Sequence, residues 1–326
     1  MPDQKKTLSI FSFSGVQLRF LKYCMGFFIP LIIVYAILEI LVLNIPINYK
    51  VFGNYLNKHA SEIEVMALGS SQMKCGFNPA LSVERAINLA STSQHHNEDF
   101  KILKGTINRI PNLKTVIIEV SYNHLELPHH PKDYWKNSVY LKYYGINTFE
   151  RPTWVKDKLI YLANARFYSH KLMDHYFYKT DKSQLNEYGF DTNNYEGVFK
   201  KLNYDETKIA EHKFKIITRE DLTIFNTNTV YLFKMIDFMK EKNLNVIICT
   251  VPLYKTYLNK RNPNIVRRRD SVLSEILKKY KNVTILDKET DTLQFTAKDF
   301  LNENHLNPDG AKKFTALVNR KLDSLH

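Results

Sequence analysis

Residues 63–72 read IEVMALGSSQ. Ile63–Leu68 is a short, mostly apolar run with β character, and Gly69 stops it, so it reads as a strand that turns at Gly69-Ser70-Ser71. Outward from it, similar runs recur at Ala86–Leu89 (AINL), Val116–Val120 (VIIEV), Leu244–Thr250 (LNVIICT) and Val283–Leu286. LNVIICT is largely apolar, as strands buried on both faces are. Helical spacing lies between and after these runs. In 97–109, Phe100, Leu103 and Ile107 share one side, and Asn97 is placed as an N-cap ahead of acidic residues. Residues 220–242, Arg269–Tyr280 and Pro308–Leu325 read as further helices. Strand alternating with helix predicts an α/β domain whose parallel sheet is covered on both faces. Right-handed crossovers then bring the C-terminal strand ends to one edge, where ligands bind.

Residues 124–219 break the alternation. They are rich in Tyr, Phe, His and Lys, and read as a mostly helical insertion or cap over the site edge. Upstream, residues 25–46 (MGFFIPLIIVYAILEILVLNIP) carry one charge, Glu39. At about 1.5 Å per residue this run can cross a hydrocarbon core of about 30 Å. Pro30 sits in its first turns, where it is tolerated. Lys5, Lys6, Arg19 and Lys22 precede the run, and only Lys50 and Lys58 follow it closely. That bias puts residues 1–24 in the cytoplasm, a single-pass anchor at 25–46 in the inner or plasma membrane, and a domain at 47–326 on the periplasmic or extracellular side. A cleaved signal peptide is the competing reading, but the run is long and no small-x-small site follows it. Glu39 is either a contact inside the bilayer or a tolerated charge. Residues 47–61 read as a short connector.

The 326 residues fit one α/β domain plus this segment. Lys and Arg exceed Asp and Glu by 13, yet no basic block joins a nucleic-acid motif, and Arg267-Arg268-Arg269 is too short to imply a partner. Nucleic acid is therefore not an expected partner. Cys24, Cys75 and Cys249 have neither metal spacing nor a disulfide framework. The histidines His95-His96, His124 and His129-His130 lack matching carboxylate spacing, so neither a metal nor any other cofactor is expected.

Four pieces fall at or just past predicted strand ends. Ser71 stands on the turn after the first strand, held up to solvent beside a backbone N–H. Asn88-Leu89-Ala90-Ser91-Thr92-Ser93 is a polar loop whose N–H groups can point at an oxyanion. In Ser121-Tyr122-Asn123-His124 an Asn amide can do the same. Last comes Asp299-Phe300-Leu301-Asn302-Glu303-Asn304-His305-Leu306-Asn307-Pro308-Asp309-Gly310-Ala311, where His305 lies in a polar loop before a helix start and can exchange a proton with a serine.

Together the four pieces resemble the SGNH (GDSL-like) family of serine acyl-ester hydrolases and acyltransferases, over residues 62–124 and 244–320. The resemblance implies a flavodoxin-like three-layer fold. It places Ser71 as nucleophile, with Ser70 where Asp often stands, and His305 as base. The oxyanion hole is then formed by Ser71, by Ser93 (where a glycine is usual) and by the Asn123 amide. His305-Leu306-Asn307-Pro308-Asp309-Gly310 follows the family's last block. Two departures stand out: Asn302 replaces the Asp three residues before the histidine, and His124 replaces another Asp. Three readings stay open. Asn302 orients His305; Asp299 or Glu303 reaches it instead; or the chain is a catalytically idle relative that binds a glycan or scaffolds an envelope assembly.

Resemblance to membrane-anchored members of surface-polysaccharide pathways implies O-acetylation or deacetylation of a glycan, with D-alanyl transfer to teichoic-type polymers as a related chemistry. The implied partners are an acylated glycan or acyl donor, the membrane, and a multi-span membrane acyltransferase. Trp135, Tyr140, Tyr143, Tyr144 and Trp154 are candidates to stack on sugar rings or, equally, to pack the cap.

Overall fold

The computed structural model describes residues 14–325. Lys5 and Lys6, and most of the expected cytoplasmic segment, lie outside the described residues. The strands are β1 (Val65–Leu68), β2 (Ala86–Asn88), β3 (Thr115–Glu119), β4 (Asn245–Thr250), β5 (Val283–Asp287), β6 (Phe300–Asn302) and β7 (His305–Leu306). The α-helices are α1 (Gly15–Asn44), α2 (Asn48–His59), α3 (Ser71–Gly76), α4 (His96–Thr106), α5 (Lys136–Val139), α6 (Ile160–Ala163), α7 (Ala165–Leu172), α8 (Val198–Lys201), α9 (Glu206–Glu211), α10 (Leu222–Glu241), α11 (Lys255–Leu258), α12 (Pro263–Lys279) and α13 (Pro308–Asp323).

The described residues divide into two compact units, one of 14–45 with 159–179 and the other of 46–158 with 180–325. The larger holds a five-stranded parallel sheet in the order β2-β1-β3-β4-β5. This is the flavodoxin-like order, and it bears out the expected three-layer α/β fold. Alternate residues of each strand enter different cores, as the two-residue strand period requires. Met66, Leu68, Val116, Ile118, Val246 and Ile248 pack with apolar residues of α2, α4, α10 and α12. Val65, Ala67, Ile117, Ile247 and Cys249 pack with Met73 of α3 and with Phe314, Leu317 and Val318 of α13. The strand order reverses between β1 and β3, so a crevice opens past their C-terminal ends.

Several sequence expectations change. The supposed connector contains α2, an amphipathic helix that buries Phe52, Tyr55 and Leu56. The predicted helix at 269 starts at Pro263 behind an Asn262 cap, since proline is favoured in a first helical turn. The insertion's regular structure is helical but in short pieces, and residues 212–221 are irregular.

The smaller unit is built on α1. This helix starts at Gly15, ten residues before the apolar run, behind a Ser14–Gln17 capping box. Residues 159–179 return to it. The Glu39 carboxylate accepts the Ile160 and Tyr161 N–H groups at the start of α6, both at 2.8 Å. The Tyr176 hydroxyl donates to the Leu41 carbonyl at 3.1 Å. Glu39 is thus a contact within its own chain.

Candidate active site

The turn after β1 is built around glycine. Gly69 has φ +144°, and a Cβ there would sit 2.5 Å from the Glu119 Cβ and 2.8 Å from its Oε2. The close approach lets Glu119, at the end of β3 and fully buried, bind the turn from beneath. Its carboxylate accepts the Ser70 N–H at 2.8 Å, the Ser70 hydroxyl at 2.8 Å and 2.9 Å, the Met73 N–H at 3.0 Å, and the Ser121 hydroxyl. Ser70 in turn caps α3 by accepting the Gln72 N–H at 3.2 Å. Ser71 therefore begins α3, where a backbone N–H has no partner within the helix. Replacing Glu119 with Ala removes the acceptor of the Ser70 N–H, the Ser70 hydroxyl and the Met73 N–H, and leaves the Ser121 hydroxyl with Gln72 Oε1 alone. Glu119→Ala is expected to destabilise the fold by about 3–5 kcal/mol, read as a lowered urea midpoint of the detergent-solubilised chain. An unchanged midpoint would show that Glu119 does not hold the turn.

His305 is not in a loop: it opens β7 of a β6–β7 antiparallel hairpin in which Asn302 pairs with it. The hairpin aims the imidazole at α3. His305 Nε2 lies 2.7 Å from Ser71 Oγ, and Nδ1 lies 3.0 Å from Asn302 Oδ1. Asn302 Oδ1 also accepts the Asn304 N–H at 3.1 Å, which fixes which end of the amide faces the ring. An acceptor on Nδ1 requires Nδ1–H, so Nε2 is left to take the Ser71 proton. Burial pulls the His305 pKa down to about 4; the Glu119 carboxylate opposes that pull and Lys74 adds to it. A neutral imidazole can act as a base, so a low pKa keeps that form present toward acid. The acid limb of kcat/KM is expected near pH 4, well below the usual histidine value of about 6.5. A limb near pH 6.5 would contradict the buried setting.

Asp299 and Glu303 do not take the orienting role. Asp299 caps its own turn by accepting the Thr296 N–H at 2.8 Å and pairs with Lys313 at 2.8 Å. The assignment of Asp299 to the catalytic group is thereby corrected: its carboxylate is committed to a local cap and an ion pair. Glu303 meets His212 Nδ1 at 2.7 Å.

Ser71, Ser93 and Asn123 line one cleft of about 250 Å³, together with Gln94, Ser121, Lys215, Tyr257 and Asn304. Ser93 has φ +54°, a conformation that favours glycine and accounts for the glycine usual at this place in the resembled family. The Asn123 amide makes no hydrogen bond to another described residue and so is available to a ligand. Lys215, Ile216 and Ile217 bring the irregular end of the 124–219 segment to the cleft.

Two residues escaped the sequence reading. Glu119 had a signal, as the only charge in VIIEV. Lys136 had none. Its buried ammonium donates to the Ser91 hydroxyl at 2.8 Å and to the Thr92 carbonyl, tying down the loop that carries Ser93. Burial lowers its pKa to about 7.

His96 and His124 stack on one another, and His95 meets His124 and His130 edge-on. His96 and His124 rings are 4.3 Å apart, and burial drives His95, His96 and His124 to about 2, 3 and 4, leaving all three neutral. Among the described residues no three His, Cys, Asp or Glu side chains form a metal-binding group. The aromatic candidates divide differently. Tyr140 and Tyr144 are buried in the core with Tyr143 packed against it, whereas Tyr257 is the aromatic that lines the cleft.

No family model matches the sequence, and no curated protein matches it. Solved structures give slight likenesses. One is a Bacteroides fragilis NCTC 9343 protein described as an acylhydrolase, at 8% identity and TM-score 0.41, covering 83% of this chain and 95% of that one. Another is a protein from Streptococcus pneumonia described as a platelet activating factor, at 8% identity and TM-score 0.42, covering 84% and 91%. A third, from Desulfitobacterium hafniense DCB-2, is described as a lipolytic protein of the G-D-S-L family, at 12% identity and TM-score 0.38, covering 79% and 98%.

Proposed function

We propose that the chain is a membrane-anchored serine esterase or O-acyltransferase that acts on acyl esters of a cell-envelope glycan. The observation that carries this reading is the Asn302–His305–Ser71 line, with contacts of 3.0 Å and 2.7 Å at the edge of an open cleft. Ser71 Oγ attacks the acyl carbonyl as its proton passes to His305 Nε2. The carbonyl oxygen becomes an oxyanion held by the Ser71 and Ser93 N–H groups and the Asn123 amide. His305 then protonates the leaving alcohol, and the acyl group stays on Ser71. Water or a sugar hydroxyl, deprotonated by His305, takes the acyl group and frees the serine.

The cleft favours a small acyl group on a polar carrier. Asn123, Lys215 and Asn304 supply hydrogen-bonding groups to it. The envelope setting rests on α1, whose most apolar 18-residue window has a mean hydropathy of 2.6 with only 6% of it buried, unlike a globular core helix. Arg19 and Lys22 near its start support a cytoplasmic N-terminus.

The test is turnover by the full chain in detergent on aryl acetate and on an O-acetylated oligosaccharide, with and without added unacetylated sugar. Acetate release or acetyl transfer supports the reading. Glycan binding with no turnover on either substrate would overturn it in favour of an idle binding module.

A further inference from the structure

We propose that residues 159–179 form a second membrane contact, a helical strap lying in the lipid–water interface beside the C-terminal end of α1. The inference rests on the reading of α1 as a membrane span. Its basis is where the strap touches α1. Tyr35 meets the Tyr161 ring at 5.9 Å between centroids, Glu39 accepts the two N–H groups that open α6, and Leu41 accepts the Tyr176 hydroxyl. Counted from Asn44, these levels lie about 4 to 14 Å inside the helix end at about 1.5 Å per residue. An interfacial amphipathic helix sits about 5–10 Å into the headgroup–acyl boundary, so the strap is held at that depth.

The strap's faces agree with this placement. Ile160, Tyr168 and Leu172 are buried, whereas Leu162, Phe167, Met173 and Tyr176 are exposed, Phe177 is 72% exposed and Tyr178 is 65% exposed. So dense an exposed apolar set is costly in water and suits lipid. Arg166 and Lys179 are exposed among these aromatics. Aromatic rings at headgroup depth with cations able to reach phosphates is the composition of an interfacial segment. The same contact explains Glu39. A carboxylate inside an apolar span needs donors, and the first N–H groups of α6 supply two.

The experiment uses the full chain in phosphatidylcholine nanodiscs brominated either near the headgroup end of the acyl chains or near the bilayer midplane. Tryptophan is placed at Met173→Trp and Phe177→Trp on the strap, at Val34→Trp within α1, and at the exposed Val83→Trp of the larger unit. Emission is read as the gain over the parent's two tryptophans. The proposal predicts that both strap positions lose more emission to shallow bromines than to deep ones, that Val34→Trp shows the reverse, and that Val83→Trp is unquenched. Quenching at Val34→Trp with none at either strap position would overturn the strap while keeping the anchor. No quenching at Val34→Trp would remove the anchor, and the strap with it.

Discussion

Ser71→Ala is expected to lower kcat for acyl-ester cleavage by on the order of 10⁶, the scale seen when a serine nucleophile is removed. No neighbouring hydroxyl can take over. Ser70 and Ser121 both donate to the buried Glu119 carboxylate, and among the described residues the only serine oxygen in contact with His305 is that of Ser71. KM should change little, because the binding residues of the cleft remain. The comparison requires initial rates on one aryl ester for parent and variant. A fall of less than tenfold would mean that another group performs the attack.

Asn302→Asp is expected to raise kcat by about tenfold to a hundredfold and to move the acid limb of the pH profile upward from about 4. The chain's present residue already satisfies one of the two demands on this position. Because Asn302 Oδ1 is shared between His305 Nδ1 and the Asn304 N–H, the imidazole is held in the productive tautomer. The loss of about 10⁴ that follows a wrong tautomer therefore does not apply. What is missing is negative charge against the imidazolium that forms as Ser71 attacks, and a carboxylate supplies it. The sign of the pH change follows: an anion beside the ring favours its protonated form, so the folded pKa rises and the base form is lost earlier on acidification. Asn302→Leu removes the acceptor and should reduce kcat by about 10² to 10⁴. Identical rates for parent, Asp and Leu variants would show that Asn302 does not orient His305.

The placement of Ser71 and His305 was legible in the sequence because each ends or follows a segment with a clear pattern. IEVMAL stops at a glycine, and His305 stands just ahead of a proline-started helix, so topology alone puts both at the strand-end edge. The β6–β7 hairpin was not legible, since strands of three and two residues carry no measurable period. Nor was the role of Glu119. Its charge was visible in VIIEV, but its partners Ser70 and Met73 are 46 to 49 residues away and are brought near by parallel pairing of β1 with β3. α2 was mistaken for a connector because its apolar residues are interrupted by Asn and Lys on the exposed side. Glu39 was ambiguous for the same nonlocal reason: its donors, Ile160 and Tyr161, are 121 and 122 residues downstream.

The most direct measurement is adduct mapping after treatment of the full chain with a fluorophosphonate. Such a reagent traps a serine made nucleophilic by a neighbouring base. The geometry predicts a single adduct on the peptide that contains Ser71, formed rapidly by the parent and at least a hundredfold more slowly by His305→Ala. An adduct on a different serine, or labelling of Ser71 that is indifferent to His305, would contradict the account.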